Sequence, residues 1–244
     1  MAADLPRRDA PTLVCAHRGN SGPCPENTLA AFRSALALGV EMIEFDVAHT
    51  RDGRLVLLHD ATVDRTTNGS GPVQEMTFER LRGLDAGDGE RVPTLDEALA
   101  LIPAEVILNV HVKPHSADPT RLVQEVAARL LADDRAESAF IAAGPDLIRA
   151  LRDAGSPVRT CPLLGGAYGP DYVAVGVELG CCALQPGHRT VSAEMVAEAH
   201  RRGRRVNVFY ADEPAAMTRL IDLGVDGILT NWPERLLRIL GRIG

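Results

Sequence analysis

Two acidic side chains interrupt an otherwise apolar run in the first quarter of the chain. Glu44 and Asp46 lie two residues apart within residues 42–47, so in a β-strand both side chains point to the same face. Burying two like charges side by side costs several kcal/mol unless a cation lies between them. A divalent metal ion offsets that cost directly, and the pattern therefore predicts a metal site on this strand.

Histidine and basic residues accompany other strand-like runs. His17 and Arg18 follow the first run, His59 ends a short run, and His111 and Lys113 alternate on one face of a third. Imidazole, with an ordinary pKa of about 6.5, gains and loses protons near neutral pH. A single histidine at a strand end is more often a hydrogen-bonded structural residue, and Lys113 alone fits a solvated surface charge. The combination with two buried carboxylates favours a metal site.

Strand-like runs alternating with helical patterns predict the elements that hold these side chains. The eight predicted strands are residues 12–16, 42–47, 106–112, 138–142, 158–163, 181–185, 205–210 and 226–229. Several are nearly continuous apolar runs, typical of parallel strands covered on both faces. This alternation in 244 residues predicts an α/β fold, a single (β/α)8 TIM barrel. In such a barrel the carboxyl ends of the strands meet at one mouth, where catalysis takes place.

Three further features complete the predicted architecture. A ninth short run at residues 55–59 follows an Asp-Gly pair, which indicates a β-hairpin excursion from the second strand. Residues 167–178 are ambiguous, because two glycines and a proline weaken a helical pattern. We expect one domain over residues 1–244, structured from about 12 to 240, with residues 1–11 as a polar tail.

Composition narrows the functional classes. A net charge of −7 argues against a general nucleic-acid binder. No apolar run approaches the ~20 residues that span a bilayer, so we expect no stable membrane insertion. The five cysteines form no CxxC pair, and the polar N-terminus lacks the apolar core of a signal peptide. We therefore expect a cytoplasmic protein, and the sequence leaves a homo-oligomer open.

The ordered set of motifs resembles the glycerophosphodiester phosphodiesterase family over nearly the whole chain, most densely in its first half. The matching stretches are His17-Arg18-Gly19, Pro25-Glu26-Asn27-Thr28, Glu44-Phe45-Asp46-Val47, Asp52-Gly53, His59-Asp60, Arg65-Thr66-Thr67-Asn68-Gly69, Leu84-Asp85-Ala86-Gly87, Pro93-Thr94-Leu95, Lys113 and Gly224-Val225-Asp226-Gly227-Ile228-Leu229-Thr230.

The resemblance implies hydrolysis of small glycerophosphodiesters to sn-glycerol 3-phosphate and an alcohol, with a divalent ion such as magnesium, calcium or manganese. It assigns roles to His17 and His59 as the acid–base pair, Glu44 and Asp46 as metal ligands, and Arg18 and Lys113 as phosphate-binding residues.

The chain departs from the family pattern at two places. His111 stands where the family usually has a glutamate, the third metal ligand, and a histidine there favours manganese, cobalt, iron or zinc over calcium and magnesium. We predict that His111 binds the metal; the alternative is contact with substrate phosphate. Phe209 and Tyr210 begin a stretch where the family often has Trp-Thr-Val-Asn, and we predict that they form the pocket wall.

Two other functions use the same residues. One is a lysophospholipase D or phospholipid lyase activity, as in the related sphingomyelinase D toxins. Lipid substrates call for an apolar mouth, whereas the loops that carry Pro23, Asn68, Ser70 and Asp88 predict a polar one. The other is a non-catalytic barrel that binds phosphorylated ligands. The absence of the third carboxylate, at His111, is the reason to consider it.

Overall fold

The computed structural model describes residues 11–165 and 170–244. Their strands are β1 (Leu13–His17), β2 (Met42–His49), β3 (Leu55–Leu57), β4 (Ile107–Val112), β5 (Ala139–Ala143), β6 (Arg159–Pro162), β7 (Ala183–Leu184), β8 (Arg205–Val208) and β9 (Gly227–Thr230). Their helices are α1 (Leu29–Ala37), α2 (Phe78–Arg82), α3 (Leu95–Leu101), α4 (Pro119–Ala132), α5 (Pro145–Asp153), α6 (Pro170–Glu178), α7 (Ala193–Arg201), α8 (Pro214–Asp222) and α9 (Pro233–Ile239), with one 3₁₀ turn at Val73–Glu75.

The strands form a nearly closed parallel barrel in the order β6-β5-β4-β2-β1-β9-β8-β7. The ends of this order meet where the Cys182 amide donates a hydrogen bond to the Thr160 carbonyl, at 2.9 Å. The predicted TIM barrel is therefore confirmed. The hairpin is confirmed as well, because β3 pairs antiparallel with β2, with Leu57 opposite Val47.

The alternation of side chains along β2 decides which residues reach the barrel axis. Ile43 and Phe45 pack into the large cluster between strands and helices, whereas Met42 belongs to the cluster that fills the barrel interior. Because side chains alternate with a period of two, Glu44 and Asp46 face the interior with Met42. Apolar residues fill the amino-terminal part of that interior, so the polar residues lie toward the carboxyl ends of the strands.

Several boundaries differ from the prediction. The seventh barrel strand, β8, ends at Val208. Phe209 adds one isolated parallel bridge to Gly187, in which its amide donates to the Pro186 carbonyl at 3.0 Å, and Tyr210 follows outside the strand. The ambiguous segment is helical from Pro170 to Glu178, while residues 167–169 and positions 1–10 of the predicted tail lie outside the described residues. In the described part of the chain, no helix has the length and apolar character needed to cross a bilayer.

We expect Gly19→Ala to destabilise the protein by at least ~2 kcal/mol. Gly19 has φ +80°, and a Cβ there would lie 2.7 Å from the Ala31 backbone, so strain and a steric clash add together. Gly39→Ala is the matched control, because Gly39 has φ +75° with no atom within 4 Å of the added Cβ, which leaves only the conformational cost of ~1 kcal/mol. Urea unfolding measures both; equal losses would contradict the clash.

Candidate active site

A cavity of about 810 Å³ opens at the carboxyl ends of the barrel strands. The side chains that the sequence predicts for catalysis converge there: His17, Arg18, Glu44, His59 and His111 all line it. Asp46 and Lys113 lie behind this surface, almost completely buried. All seven predicted catalytic, phosphate-binding and metal-binding residues thus belong to one cluster.

Glu44 and Asp46 are as deeply buried as the sequence predicts, with 1% and 0% of their surfaces exposed. Glu44 Oε2 accepts a hydrogen bond from the Arg18 amide at 3.0 Å. That single backbone contact does not offset the loss of water. Burial, and then the neighbouring charge of Asp46, raise the pKa of Glu44 to about 8.

Asp46 has several polar partners, which separate it chemically from Glu44. Its Oδ2 accepts a hydrogen bond from Asn27 Nδ2 at 2.9 Å and lies 3.2 Å from Arg18 Nε, and its Oδ1 lies 3.0 Å from Lys113 Nζ. Burial alone would raise the pKa of Asp46, but the contacts with His111, Lys113 and Arg18 outweigh it and hold the pKa well below its usual value. The two carboxyl groups therefore differ in protonation without a metal ion.

His111 lies beside both carboxylates, as expected of a third ligand. Its Nδ1 is 3.2 Å from Asp46 Oδ1 and 3.9 Å from Glu44 Oε1, and one ligand atom from each residue lies within 4.8 Å of the others. Asp46 Oδ1 is buried, and its polar neighbours are Lys113 Nζ at 3.0 Å and His111 Nδ1 at 3.2 Å. Two carboxylate oxygens and an imidazole nitrogen so close together form a donor set that fits a divalent ion.

His17 is oriented by residues that the sequence analysis missed. Its Nδ1 lies 2.7 Å from Asn231 Oδ1, and Asn231 Nδ2 donates to Asp212 Oδ2 at 2.7 Å. The Asp212 carboxylate accepts from the amide nitrogen of Asn231, so the amide oxygen Oδ1 faces His17. The proton of the neutral His17 ring therefore resides on Nδ1, where it can be donated to that oxygen. The unprotonated Nε2 lies 3.8 Å from Glu44 Oε2, and the Tyr210 ring stacks on the imidazole with centroids 5.0 Å apart. Burial, then the charge of Arg18, lower the pKa of His17 to about 4.

His59 is held by a different kind of network, a chain of ion pairs. Its Nδ1 lies 2.6 Å from Asp60 Oδ1, and Asp60 Oδ2 lies 2.7 Å from Arg65 Nε. The Arg65 guanidinium donates two hydrogen bonds to the Glu26 carboxylate, at 2.7 and 2.8 Å. Glu26 Oε1 also pairs with Arg18 NH1 at 2.7 Å. The chain therefore links the second histidine to the arginine beside Asp46.

The residues missed in the sequence fall into two groups. Glu26, Asn27 and Arg65 lie within motifs that the sequence analysis quoted without a role, so their motifs were a usable signal. Asn231 and Asp212 are joined only by the packing of the loops after β9 and β8, and no local pattern relates them. The predicted wall residue Phe209 does line the cavity, as does Tyr210.

Comparison with known proteins identifies the family. Residues 17–235 match the model of the glycerophosphoryl diester phosphodiesterase family. The chain belongs to this family. As a member of it, the protein is a phosphoric diester hydrolase. The buried Glu44 and Asp46 and the partly exposed His111 form its candidate metal-binding group.

Relatives match over nearly the full length. A glycerophosphodiester phosphodiesterase of Caldanaerobacter subterraneus subsp. tengcongensis is 36% identical, over 96% of this chain and 99% of the relative. The crystal structure of a putative family member from Silicibacter pomeroyi superposes with a TM-score of 0.89 at 28% identity, over 97% and 95% of the two chains. A phosphodiesterase of Oleispira antarctica, solved in complex with its product sn-glycerol-3-phosphate, shares the fold with a TM-score of 0.83 at 24% identity, over 94% and 96%.

We expect the metal-free protein to lose stability as the pH rises from about 6.5 to 8. The pKa of Glu44 is raised to about 8 in the folded state, so the unfolded chain releases this proton first and the free energy of unfolding falls, by up to roughly 1.4 kcal/mol per pH unit. Asp46, with its lowered pKa, is ionised in both states over this range. His17, His59 and His111 also have lowered pKa values, and they change the free energy of unfolding mainly below pH 6.5.

Chemical unfolding at several pH values, with chelator and with a divalent ion, measures this slope. Glu44→Gln should remove the slope in chelator, and a bound ion should remove it from the wild type by keeping Glu44 ionised. A wild-type slope that survives in Glu44→Gln would contradict the assignment.

We expect Arg65→Ala to lower the turnover of a phosphodiester by roughly tenfold to a hundredfold, because the chain that orients His59 is broken. Removing the cation beside Asp60 also favours the protonated form of His59 and so raises its pKa. The part of the pH–rate profile that reports His59 should therefore move to higher pH. Arg201→Ala, which removes a surface pair with Glu198, is the control. Equal rates and equal pH profiles in both variants would exclude a role for Arg65 in orienting His59.

Proposed function

We propose that this protein hydrolyses glycerophosphodiesters to sn-glycerol 3-phosphate and an alcohol, by metal-dependent acid–base catalysis with two histidines. One observation carries the proposal. His17 and His59 line the same cavity as the ligand group of Glu44, Asp46 and His111, and each is held through Nδ1 by its own polar partner. Membership of the family supports the reaction class, and the product bound to the relative from Oleispira antarctica is the proposed product here.

The phosphate group is bound by cations of two shapes. The Arg18 guanidinium offers a planar fork of donors, and the Lys113 ammonium a compact charge, for the non-bridging oxygens. Both already lie against Asp46. Arg18 lines the cavity, and Lys113 is buried behind its surface. A divalent ion held by Glu44, Asp46 and His111 would supply Lewis-acid polarisation of a phosphate oxygen.

The hydrogen bonds of the histidines support separate proton-transfer roles. His17 carries its proton on Nδ1 toward Asn231, so Nε2 is free to accept the proton of the attacking hydroxyl as general base. His59 faces the Asp60 carboxylate, which stabilises an imidazolium and suits donation of a proton to the leaving oxygen. With the glycerol 2-hydroxyl as nucleophile, a cyclic phosphate forms and the alcohol departs protonated. Water then opens the ring with the roles reversed.

The overall reaction is tested by the turnover of glycerophosphocholine and bis(p-nitrophenyl) phosphate across a panel of divalent ions. Phosphorus NMR distinguishes sn-glycerol 3-phosphate from a cyclic phosphate as the final product. Accumulation of the cyclic phosphate would make the protein a lyase, and no turnover with any ion would favour a binding protein.

We expect His17→Ala and His59→Ala each to lower kcat by at least ~100-fold with folding intact. The matched control is His200→Ala, because His200 pairs with Asp226 next to the amino end of β9, away from the cavity. Circular dichroism and unfolding curves check the fold of all three variants. Wild-type turnover in either of the first two would remove that histidine from the mechanism.

We expect His111→Glu to shift metal preference toward magnesium and calcium, because a carboxylate oxygen replaces an imidazole nitrogen. Competitive binding measured by calorimetry reports this preference without turnover. The affinity for manganese or zinc, divided by the affinity for calcium, should be higher in the wild type than in the variant. Identical preferences in the two proteins would show that His111 is not a ligand.

A further inference from the structure

We propose that Asp212 is a positioning residue for the reaction: together with Asn231, it determines which nitrogen of His17 carries the proton. The proposal rests on the proposed function, because it concerns the base that accepts the proton of the attacking hydroxyl. Asp212 is the fourth residue of the stretch Phe209-Tyr210-Ala211-Asp212, where the family often has Trp-Thr-Val-Asn. The carboxylate at this position is therefore a departure of this chain.

The backbone of Asn231 is held in place, so that only its side-chain amide can change orientation. The Asn231 carbonyl accepts from the Gly22 amide at 2.7 Å, and the Asn231 amide donates to Asp212 Oδ1 at 2.8 Å. The loop after β1 lies tightly against the same segment, because a Cβ at Gly22 would lie 2.5 Å from the Trp232 ring. The side-chain amide has an oxygen on one side and a nitrogen on the other, and rotation about its last bond exchanges them.

Asp212 selects one of these two orientations through the way its oxygens are used. Oδ1 accepts from the Asn231 backbone amide and from the Thr230 hydroxyl, at 2.8 and 3.0 Å. The Thr230 hydroxyl itself accepts from the Trp232 amide at 3.1 Å, which leaves its proton for Asp212. Oδ2 is 2.7 Å from Asn231 Nδ2. Because a carboxylate only accepts hydrogen bonds, the amide nitrogen faces Asp212 and the amide oxygen faces His17.

His17 needs this control because the opposite side of its ring favours the other tautomer. In a neutral imidazole, one nitrogen carries the proton and the other accepts. Glu44 Oε2 lies 3.8 Å from His17 Nε2, and a carboxylate there attracts a proton to Nε2. A base for the glycerol hydroxyl must keep Nε2 unprotonated. The contact between His17 Nδ1 and Asn231 Oδ1, at 2.7 Å, has hydrogen-bond length and holds the proton on Nδ1.

The isosteric exchange Asp212→Asn should reverse this chain of hydrogen bonds. The Asn231 backbone amide and the Thr230 hydroxyl both donate to Oδ1, so the oxygen of the new side chain has to stay at that position. Its nitrogen then takes the place of Oδ2 and acts as a donor. The Asn231 amide must turn its oxygen toward that donor and its nitrogen toward His17. Nδ1 of His17 then accepts, the proton moves to Nε2, and the base is lost.

The reversed arrangement keeps its hydrogen bonds. The Ser21 hydroxyl lies 2.9 Å from Asn231 Oδ1 and 2.7 Å from the His17 carbonyl oxygen. It can donate to that carbonyl and at the same time accept from the turned amide nitrogen. The two hydrogen bonds along the chain are also replaced one for one. We therefore expect Asp212→Asn to fold with nearly unchanged stability and to impair the chemical step.

The kinetic test compares a single variant with a double variant of the same net charge as the wild type. Asp212→Asn should lower kcat for glycerophosphocholine by at least ~100-fold, the contribution of a general base. KM should change little, because Arg18 and Lys113 are untouched. Combining Asp212→Asn with Asn231→Asp places a carboxylate directly against His17 Nδ1. Since that group can only accept, the double variant should recover most of the lost kcat.

Asp226→Asn is the matched control. Asp226 is another hydrogen-bonded carboxylate, which accepts from the Val206 amide at 2.7 Å and precedes β9 at its amino end, whereas Asn231 follows β9 at its carboxyl end. The control variant should keep the wild-type kcat. Circular dichroism and unfolding curves check the fold of every variant.

The tautomer is measured directly by NMR, independently of turnover. Correlation of the ring nitrogens with the carbon-bound ring protons, in protein labelled with nitrogen-15 and with magnesium present, shows which nitrogen is protonated. His17→Ala identifies the signals of His17. The wild type and the double variant should show a protonated Nδ1, and Asp212→Asn a protonated Nε2.

The outcomes separate this proposal from the proposed function. A proton on Nε2 in the wild type, or on Nδ1 in Asp212→Asn, would overturn the role of Asp212, and the first of these needs no variant to fold. A folded double variant as slow as Asp212→Asn would overturn it as well. If the wild type cleaves no diester with any divalent ion, the phosphodiesterase function fails, while the NMR experiment still tests how Asp212 controls the tautomer.

Discussion

The site depends on two carboxyl groups that are buried side by side, with both neighbouring cations in contact with only one of them. Asp46 takes the available positive charge, from Arg18 and Lys113, together with the side-chain amide of Asn27. Glu44 is left with one backbone hydrogen bond and a pKa raised to about 8. A divalent ion held by Glu44, Asp46 and His111 would permit both carboxyl groups to ionise in this buried position.

Backbone strain marks the same region. Arg18 and Asn27 both have φ of +57°, a conformation that costs free energy for residues other than glycine. The Asp46 amide donates to Asn27 Oδ1 and Asn27 Nδ2 returns a bond to Asp46 Oδ2, which offsets the strain at Asn27. The loop after β1 is thereby pinned to β2, and the position of Arg18 beside Asp46 follows from it.

The two histidines are supported in ways that match different tasks. A neutral amide orients His17, and burial keeps its pKa low, while a carboxylate in an ion-pair chain orients His59. The cavity shows a second contrast, between the charged residues around Glu44 and the apolar residues around Leu164.

Local pattern in the sequence determined the barrel, the hairpin after β2, and the grouping of Glu44 and Asp46, because strand periodicity and side-chain alternation are local properties. Only the tertiary structure decided the partners of His17, which are Asn231 and, through it, Asp212, and the apolar residues that line part of the cavity. These depend on contacts between loops far apart in the chain. The sequence shows that a loop residue such as Asn68 is polar. Which cavity that residue lines depends on how the loops pack around the barrel.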